Sequence, residues 1–167
     1  MGLQAKAGAF VRFEETGAAG LAAALATFDG WGAAEFTDGT GNNQANILHF
    51  TTMTLAASAT ANIDLAGTLT DPIGGAAVFA KVKALAIRAR ADNVNSLIVG
   101  GAATNAWVGP FGAATHTVTL PPGGQLVLVA PLAGWAVTPA TGDLLKVANS
   151  AAGSAVTFDV CIIGTNA

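Results

Sequence analysis

The chain reads as an all-β protein, a jelly-roll-like β-sandwich or barrel with one short helix and an extended N-terminal arm. Three observations predict this. Short runs rich in Val, Ile, Leu and Thr recur from residue 45 to the end, several of them alternating with the period of two that a half-buried strand imposes. Clusters of Gly, Pro, Asn and Asp separate the runs, which is the punctuation of a many-stranded sandwich. Finally, 167 residues with a single cysteine must be held by an ordinary hydrophobic core, and that length suffices for one.

Residues 1–44 are expected to form an N-terminal arm or first layer, because Ala, Gly and scattered aromatics occur there without sustained alternation. Alanine and leucine across residues 20–28 would favour a short helix, weakened by flanking glycines. The segment ends in the turn cluster Asp38-Gly39-Thr40-Gly41-Asn42-Asn43. Residues 45–167 are expected to be the β-sandwich domain. Ile47, Thr51, Met53 and Leu55 anchor its first strand, and residues 61–65 form a second. Asp71-Pro72 has the form of a helix start, with Asp as N-cap and Pro in the first turn, and Val78, Phe79 and Val82 follow at helical spacing. In residues 84–91, Leu85, Ile87 and Ala89 alternate with Ala86, Arg88 and Arg90, predicting a strand whose arginines face outward. Further strands are expected at 96–99, 115–120, 125–130, 144–148 and 156–163. About eight strands with long crossovers suit a jelly roll.

Composition bounds what such a domain does. Hydrophobic residues make up 52% of the chain, but 38 of them are alanine, so small residues raise the mean hydropathy. The alanine-rich stretch 17–28 falls short of the roughly 20 apolar residues that span a bilayer. Arg12, Glu14 and Glu15 interrupt any signal peptide, so the protein is expected to be made in a cytoplasm. Only 10% of residues are charged and the net charge is −3, against roughly 25% charged in a typical soluble domain. A surface so weakly hydrated is expected to be covered by partners, copies of itself among them.

Residues suited to chemistry are sparse. His49 and His116 are far apart, and one cysteine with two histidines does not make the three or four converging ligands of a zinc site. Ser58, Ser96, Ser150 and Ser154 lie outside any Gly-x-Ser-x-Gly elbow. Cys161 sits in the apolar run Val160-Cys161-Ile162-Ile163, as a buried small hydrophobe would. Asp64, Asp143 and Asp159 adjoin strands and are expected to cap turns or face solvent. Gly39-Thr40-Gly41 lacks the lysine and the later glycine of a phosphate loop. No enzyme activity, cofactor or metal is expected. Four of the seven basic residues, Lys81, Lys83, Arg88 and Arg90, fall within ten positions. This basic face is expected to serve solubility or a protein contact. Nucleic-acid binding would call for more cations and for stacking aromatics.

From residue 38 to 166 the chain resembles a family of small virion proteins of tailed bacteriophages. The resemblance rests on an ordered series: DGTGNNQAN, TLAASATANIDLAGTLTDPIG, FAKVKALAIRA, LIVGGAATNAWVGPFG, LPPGGQLVLVAPLAGWAVT, GDLLKVANS and VTFDVCIIGT. It covers about three quarters of the chain and implies a head or tail structural component without catalytic residues. Within that family the chain is most like a capsid decoration (cement) protein. The resemblance implies a homotrimer on the outside of the head, bound to the major capsid protein through an N-terminal arm. Phe10, Arg12, Phe13, Phe28 and Trp31 are the candidate capsid contacts, since large rings dominate interface energetics. A tail-associated structural or receptor-binding module is the alternative. The complete absence of Tyr and the Gly- and Ala-rich loops count against a receptor-binding tip.

Overall fold

The computed structural model describes residues 2–9, 11–19, 22–30 and 32–167, and of residues 11–19 and 22–30 the backbone alone. Every regular element among the described residues is a strand. Eight of them build two facing antiparallel sheets. The larger contains β6 (Ile47–Leu55), β8 (Lys81–Ala89), β11 (Gln125–Val129) and β14 (Val156–Thr165), in the order β11-β8-β14-β6. The short β12 (Trp135–Ala136) extends it by pairing with β8 beyond the end of β11. The smaller sheet contains β7 (Thr60–Asp64), β9 (Leu97–Gly100), β10 (Thr117–Leu120) and β13 (Leu144–Asn149), in the order β10-β9-β13-β7. Six of the seven steps along these eight strands cross from one sheet to the other. Only β9 to β10 stays within its sheet, as an antiparallel pair.

The core lies between the sheets because strand alternation delivers it there. In β14, Val156, Phe158, Val160 and Ile162 are buried toward β7, β9 and β13, while Thr157, Asp159 and Cys161 take the other face. Leu85, Ile87 and Ala89 of β8 meet Ile63, Leu97, Val99, Leu145 and Val147 in the same cluster. Each large apolar side chain so buried contributes about 1.5–3 kcal/mol. The strands expected at 61–65, 84–91, 96–99, 115–120, 125–130, 144–148 and 156–163 all form, with ends shifted by up to three residues.

Neither expected helix forms. The described part of residues 20–28 belongs to β3 (Ala22–Gly30), paired along its whole length with β2 (Val11–Ala19). Inter-strand pairing overrides the helical preference of its alanines, a preference worth less than about 1 kcal/mol per residue. At Asp71-Pro72 the aspartate caps a tight turn. Its Oδ1 accepts hydrogen bonds from the Ile73 and Gly75 amides at 2.9 and 2.7 Å. Gly74, at φ +91°, turns the chain back so that Thr70 bridges Ala76. Val78 and Phe79 then follow extended chain, Val78 exposed and Phe79 buried.

The N-terminal residues add two further sheets. β1 (Ala5–Ala7), β4 (Ala34–Asp38) and β5 (Gln44–Ala45) form a small sheet that lies on the outer face of the larger one. There Phe36 and Ala45 bury Ala84 and Ile163, with Leu48, Val129 and Cys161 packed around them. Between β1 and β4, the β2–β3 pair makes a separate two-stranded ribbon.

Candidate functional site

The outer face of the larger sheet gathers the polar side chains that the core rejects. Part of it is covered by the small N-terminal sheet, and Phe50, Arg88 and Arg90 are exposed on the remainder. Its layout depends on a bulge in β8. Ile163 of β14 pairs with Ala84 but Gly164 pairs with Val82, so Lys83 is an extra residue. Such an insertion reverses which residues face the core. Val82 therefore points inward before it, and Leu85, Ile87 and Ala89 after it. Gly164 is needed at this point, since a Cβ there would overlap the Lys81 carbonyl oxygen.

The bulge alters the expected basic face. Lys83 is 1% exposed and contributes nothing to an outer surface. Its ammonium donates to the carbonyl oxygens of Gly41 (3.3 Å), Pro131 (3.4 Å) and Leu132. Three donors thus meet three acceptors, and the loop before β5 is tied to the loop after β11. Burial, with Lys81 nearby, lowers the Lys83 pKa.

Arg88 and Arg90 do face outward, but they are not free cations. Asp159, expected at a turn or in solvent, lies in the middle of β14 as the Cα partner of Arg88. Arg88 donates to Asp159 Oδ2 from Nε (3.2 Å) and Nη2 (2.8 Å), and Arg90 Nη2 donates to Oδ1 at 2.8 Å. The Thr52 hydroxyl of β6 also donates to Oδ1, at 2.7 Å. This hydroxyl and then the arginines hold the Asp159 carboxyl below its ordinary pKa, against the opposing effect of burial. The carboxylate side chain is 12% exposed, whereas those of Arg88 and Arg90 are 54% and 41% exposed. Lys81 stands beyond the bulge, so the four expected cations do not form one patch. Thr52 escaped the sequence reading, and Asp159 was not read as the partner of the two arginines. The signal was present: a carboxylate at the outward parity of an apolar strand needs a cation, and two arginines two residues apart could supply it.

Next to this ionic row lies a shallow trough of about 230 Å³, lined among others by Phe50, Ala86, Val127 and Cys161. Phe50 is 51% exposed. Cys161 is half-buried on this outer face rather than in the core, and burial pushes its thiol pKa up. That makes it a poor nucleophile.

His49, His116, Asp64 and Asp143 have structural partners. His49 Nδ1 donates to the Thr70 carbonyl and His116 Nδ1 to the Phe111 carbonyl, each at 2.7 Å. Asp64 caps the turn at Ala66, and Asp143 accepts from the Ala140 amide. No group of three His, Cys, Asp or Glu side chains that could hold a metal occurs among the described residues.

Of the expected capsid contacts, Phe10 and Trp31 lie outside the described residues, as do the side chains of Arg12, Phe13 and Phe28. The backbone register makes Phe13 the Cα partner of Phe28, and Arg12 that of Asp29. No protein-family model, curated protein or solved structure matches this chain significantly.

Proposed function

We propose that the protein is a non-enzymatic virion component of a tailed bacteriophage, a capsid decoration protein that seats as a homotrimer on the outside of the head and stabilises its lattice. The observation that carries this reading is the β2–β3 ribbon. Its nine-residue strands would reach about 30 Å at roughly 3.4 Å per residue. A two-stranded ribbon is at best marginally stable alone in water, so one built into a compact domain calls for a partner surface. The aromatics Phe10, Phe13, Phe28 and Trp31 would supply the apolar anchors on the major capsid protein. Binding would favour the assembled shell by mass action, since only the assembled lattice offers the complete site.

Two further features support the reading. Numbered in chain order, the eight sandwich strands run 1-8-3-6 in one sheet and 2-7-4-5 in the other. That order is the basis for taking the sandwich as a jelly roll, a fold found in capsid and lectin domains. The fold alone does not assign a function. The scarcity of charge, 10% of residues, suits a subunit with covered flanks.

The test is to replace residues 10–31 with a short glycine linker and mix the protein with particles stripped of it. The expected result is a folded sandwich that no longer binds heads, while the intact chain binds in proportion to the capsid lattice. Normal occupancy by the shortened protein would refute the ribbon's role. A few copies confined to the tail would replace the capsid reading with the tail-associated one.

A further inference from the structure

We infer that residues 5–36 are a single antiparallel hairpin, in one register from base to tip, and that Gly8 is a positioning residue that sets the angle at which the β2–β3 ribbon leaves the body. The inference goes beyond the decoration reading and does not depend on it.

The base of the hairpin is the β1–β4 pair, which ends with Ala7 opposite Ala34. The ribbon begins with Val11 opposite Gly30. Each strand advances four residues between these two pairs. No residue is gained or lost on either side, so the register carries across the break. The base fixes that register. Ala5 and Ala7 pack with Phe36 against the larger sheet, and a slip of one residue would put Lys6 in their place. Lys6 instead meets Glu35 at 2.9 Å on the exposed side, and the Leu3 amide donates to Asp38 Oδ1 at 3.1 Å. A ribbon that is marginal alone thus extends from an anchored pair, where the entropy of bringing its strands together has already been lost.

The joint lies between base and ribbon. In the shared register Gly8 stands opposite Ala33, and neither belongs to a ladder pair. A Cβ on Gly8 would come within 2.6 Å of Ala33 Cα and 2.9 Å of Ala33 Cβ, about 1 Å short of ordinary carbon contact. The strands cross at Gly8 more closely than a side chain permits, and the ladder pairing stops there. Gly32, opposite Ala9, is the contrast, with nothing within 4 Å of its Cβ position. The crossing lines one trough with Val127, Val129 and Pro131 at the β11 edge, so its angle is set against the sandwich.

Two measurements on the full chain carrying Cys161→Ser test the inference. Ala9→Cys combined with Gly32→Cys is expected to close an internal disulfide on oxidation, because one continuous register makes these residues partners. Two free thiols, or links between chains alone, would overturn the single register. Spin labels on Ala18→Cys in the ribbon and on Val94→Cys, 75% exposed on the sandwich, report the angle as a distance. Ala18 lies ten residues beyond Gly8. That is about 30 Å at roughly 3.4 Å per residue, so a swing of about 10° moves it by about 5 Å. Gly8→Ala is expected to shift the mean distance by about that much or more. Gly32→Ala adds the same methyl in open space and is expected to leave the distance unchanged. No shift in Gly8→Ala, or equal shifts in both variants, would overturn the positioning role. The disulfide should still close in Gly8→Ala, and its loss there would replace an effect on angle with one on pairing. Neither measurement involves heads. A shifted distance with full head occupancy would leave the joint standing and remove the ribbon from decoration, and an unshifted distance in a protein that needs its ribbon to bind heads would do the reverse.

Discussion

Arg88 and Asp159 face each other across β8 and β14 as Cα partners, and the guanidinium reaches one carboxylate oxygen through both Nε and Nη2. With Arg90 and Thr52 on the other oxygen, the carboxylate has four hydrogen bonds on a face whose other half is apolar.

Asp159→Asn should therefore destabilise the fold by about 1–3 kcal/mol, the usual cost of losing hydrogen bonds to a charged group. It should also change the acid limb of stability. The folded pKa lies below the unfolded one, so the carboxylate's contribution is complete above roughly pH 4. It is lost as pH falls through the lowered folded value. Urea midpoints measured from neutral to acid pH should fall less steeply for the variant than for the wild type. Parallel curves would show that the network is energetically idle.

Lys83→Met keeps the length of the side chain and removes its three donors. The carbonyls of Gly41, Pro131 and Leu132 would be left in a site closed to water, at about 1–3 kcal/mol for each one not rescued. Relief of the buried charge offsets part of this. Loss of the tie should be local. Amide exchange at Thr37 and Asn43, whose N–H groups bond Asn43 O and Pro131 O, is expected to quicken more than exchange in β14.

Gly164→Ala tests the bulge. The added methyl would overlap the Lys81 carbonyl and crowd the Phe79 ring, and overpacking of this kind costs about 1–3 kcal/mol. The expected result is a lower melting temperature than that of Gly153→Ala. Gly153 has open space around its Cβ position, although its φ of +95° carries a backbone cost of its own.

Asn149, 6% exposed, ties the end of the sandwich opposite the bulge. Its Nδ2 donates to Ala56 O at 3.0 Å and Ser154 O at 2.7 Å, and its Oδ1 accepts from Asn95 Nδ2 at 2.9 Å. Asn149→Leu, which fills the space but satisfies none of these groups, should cost about 2–4 kcal/mol. Thermal or urea unfolding would reveal it, and a change below about 0.5 kcal/mol would mean that the network is dispensable.

The strands of the sandwich were legible because alternation is a local property. Leu85, Ile87 and Ala89 announce a face without reference to any neighbour. The two expected helices show where local reading fails. Helical preference in residues 22–28 is small beside the pairing with β2, and the Asp-Pro signal before Gly74 serves a capped turn as well as a helix start. β12 was illegible, since two residues carry no periodicity and Trp135 joins the sheet only by reaching Val82.

By itself the sequence determined an all-β chain, most of the strand positions after residue 45, the inward side of β8 and a surface poor in charge. These follow from side-chain period and composition, which need no knowledge of the partner strand. Tertiary structure alone decided that Lys83 is buried, that Arg88 and Arg90 converge on Asp159, and that Phe50 and Cys161 share an open trough. Those facts depend on register between segments 42 or more residues apart and on one bulge that reverses strand parity. Register is set by the collective packing of both sheets, so no local run of residues encodes it.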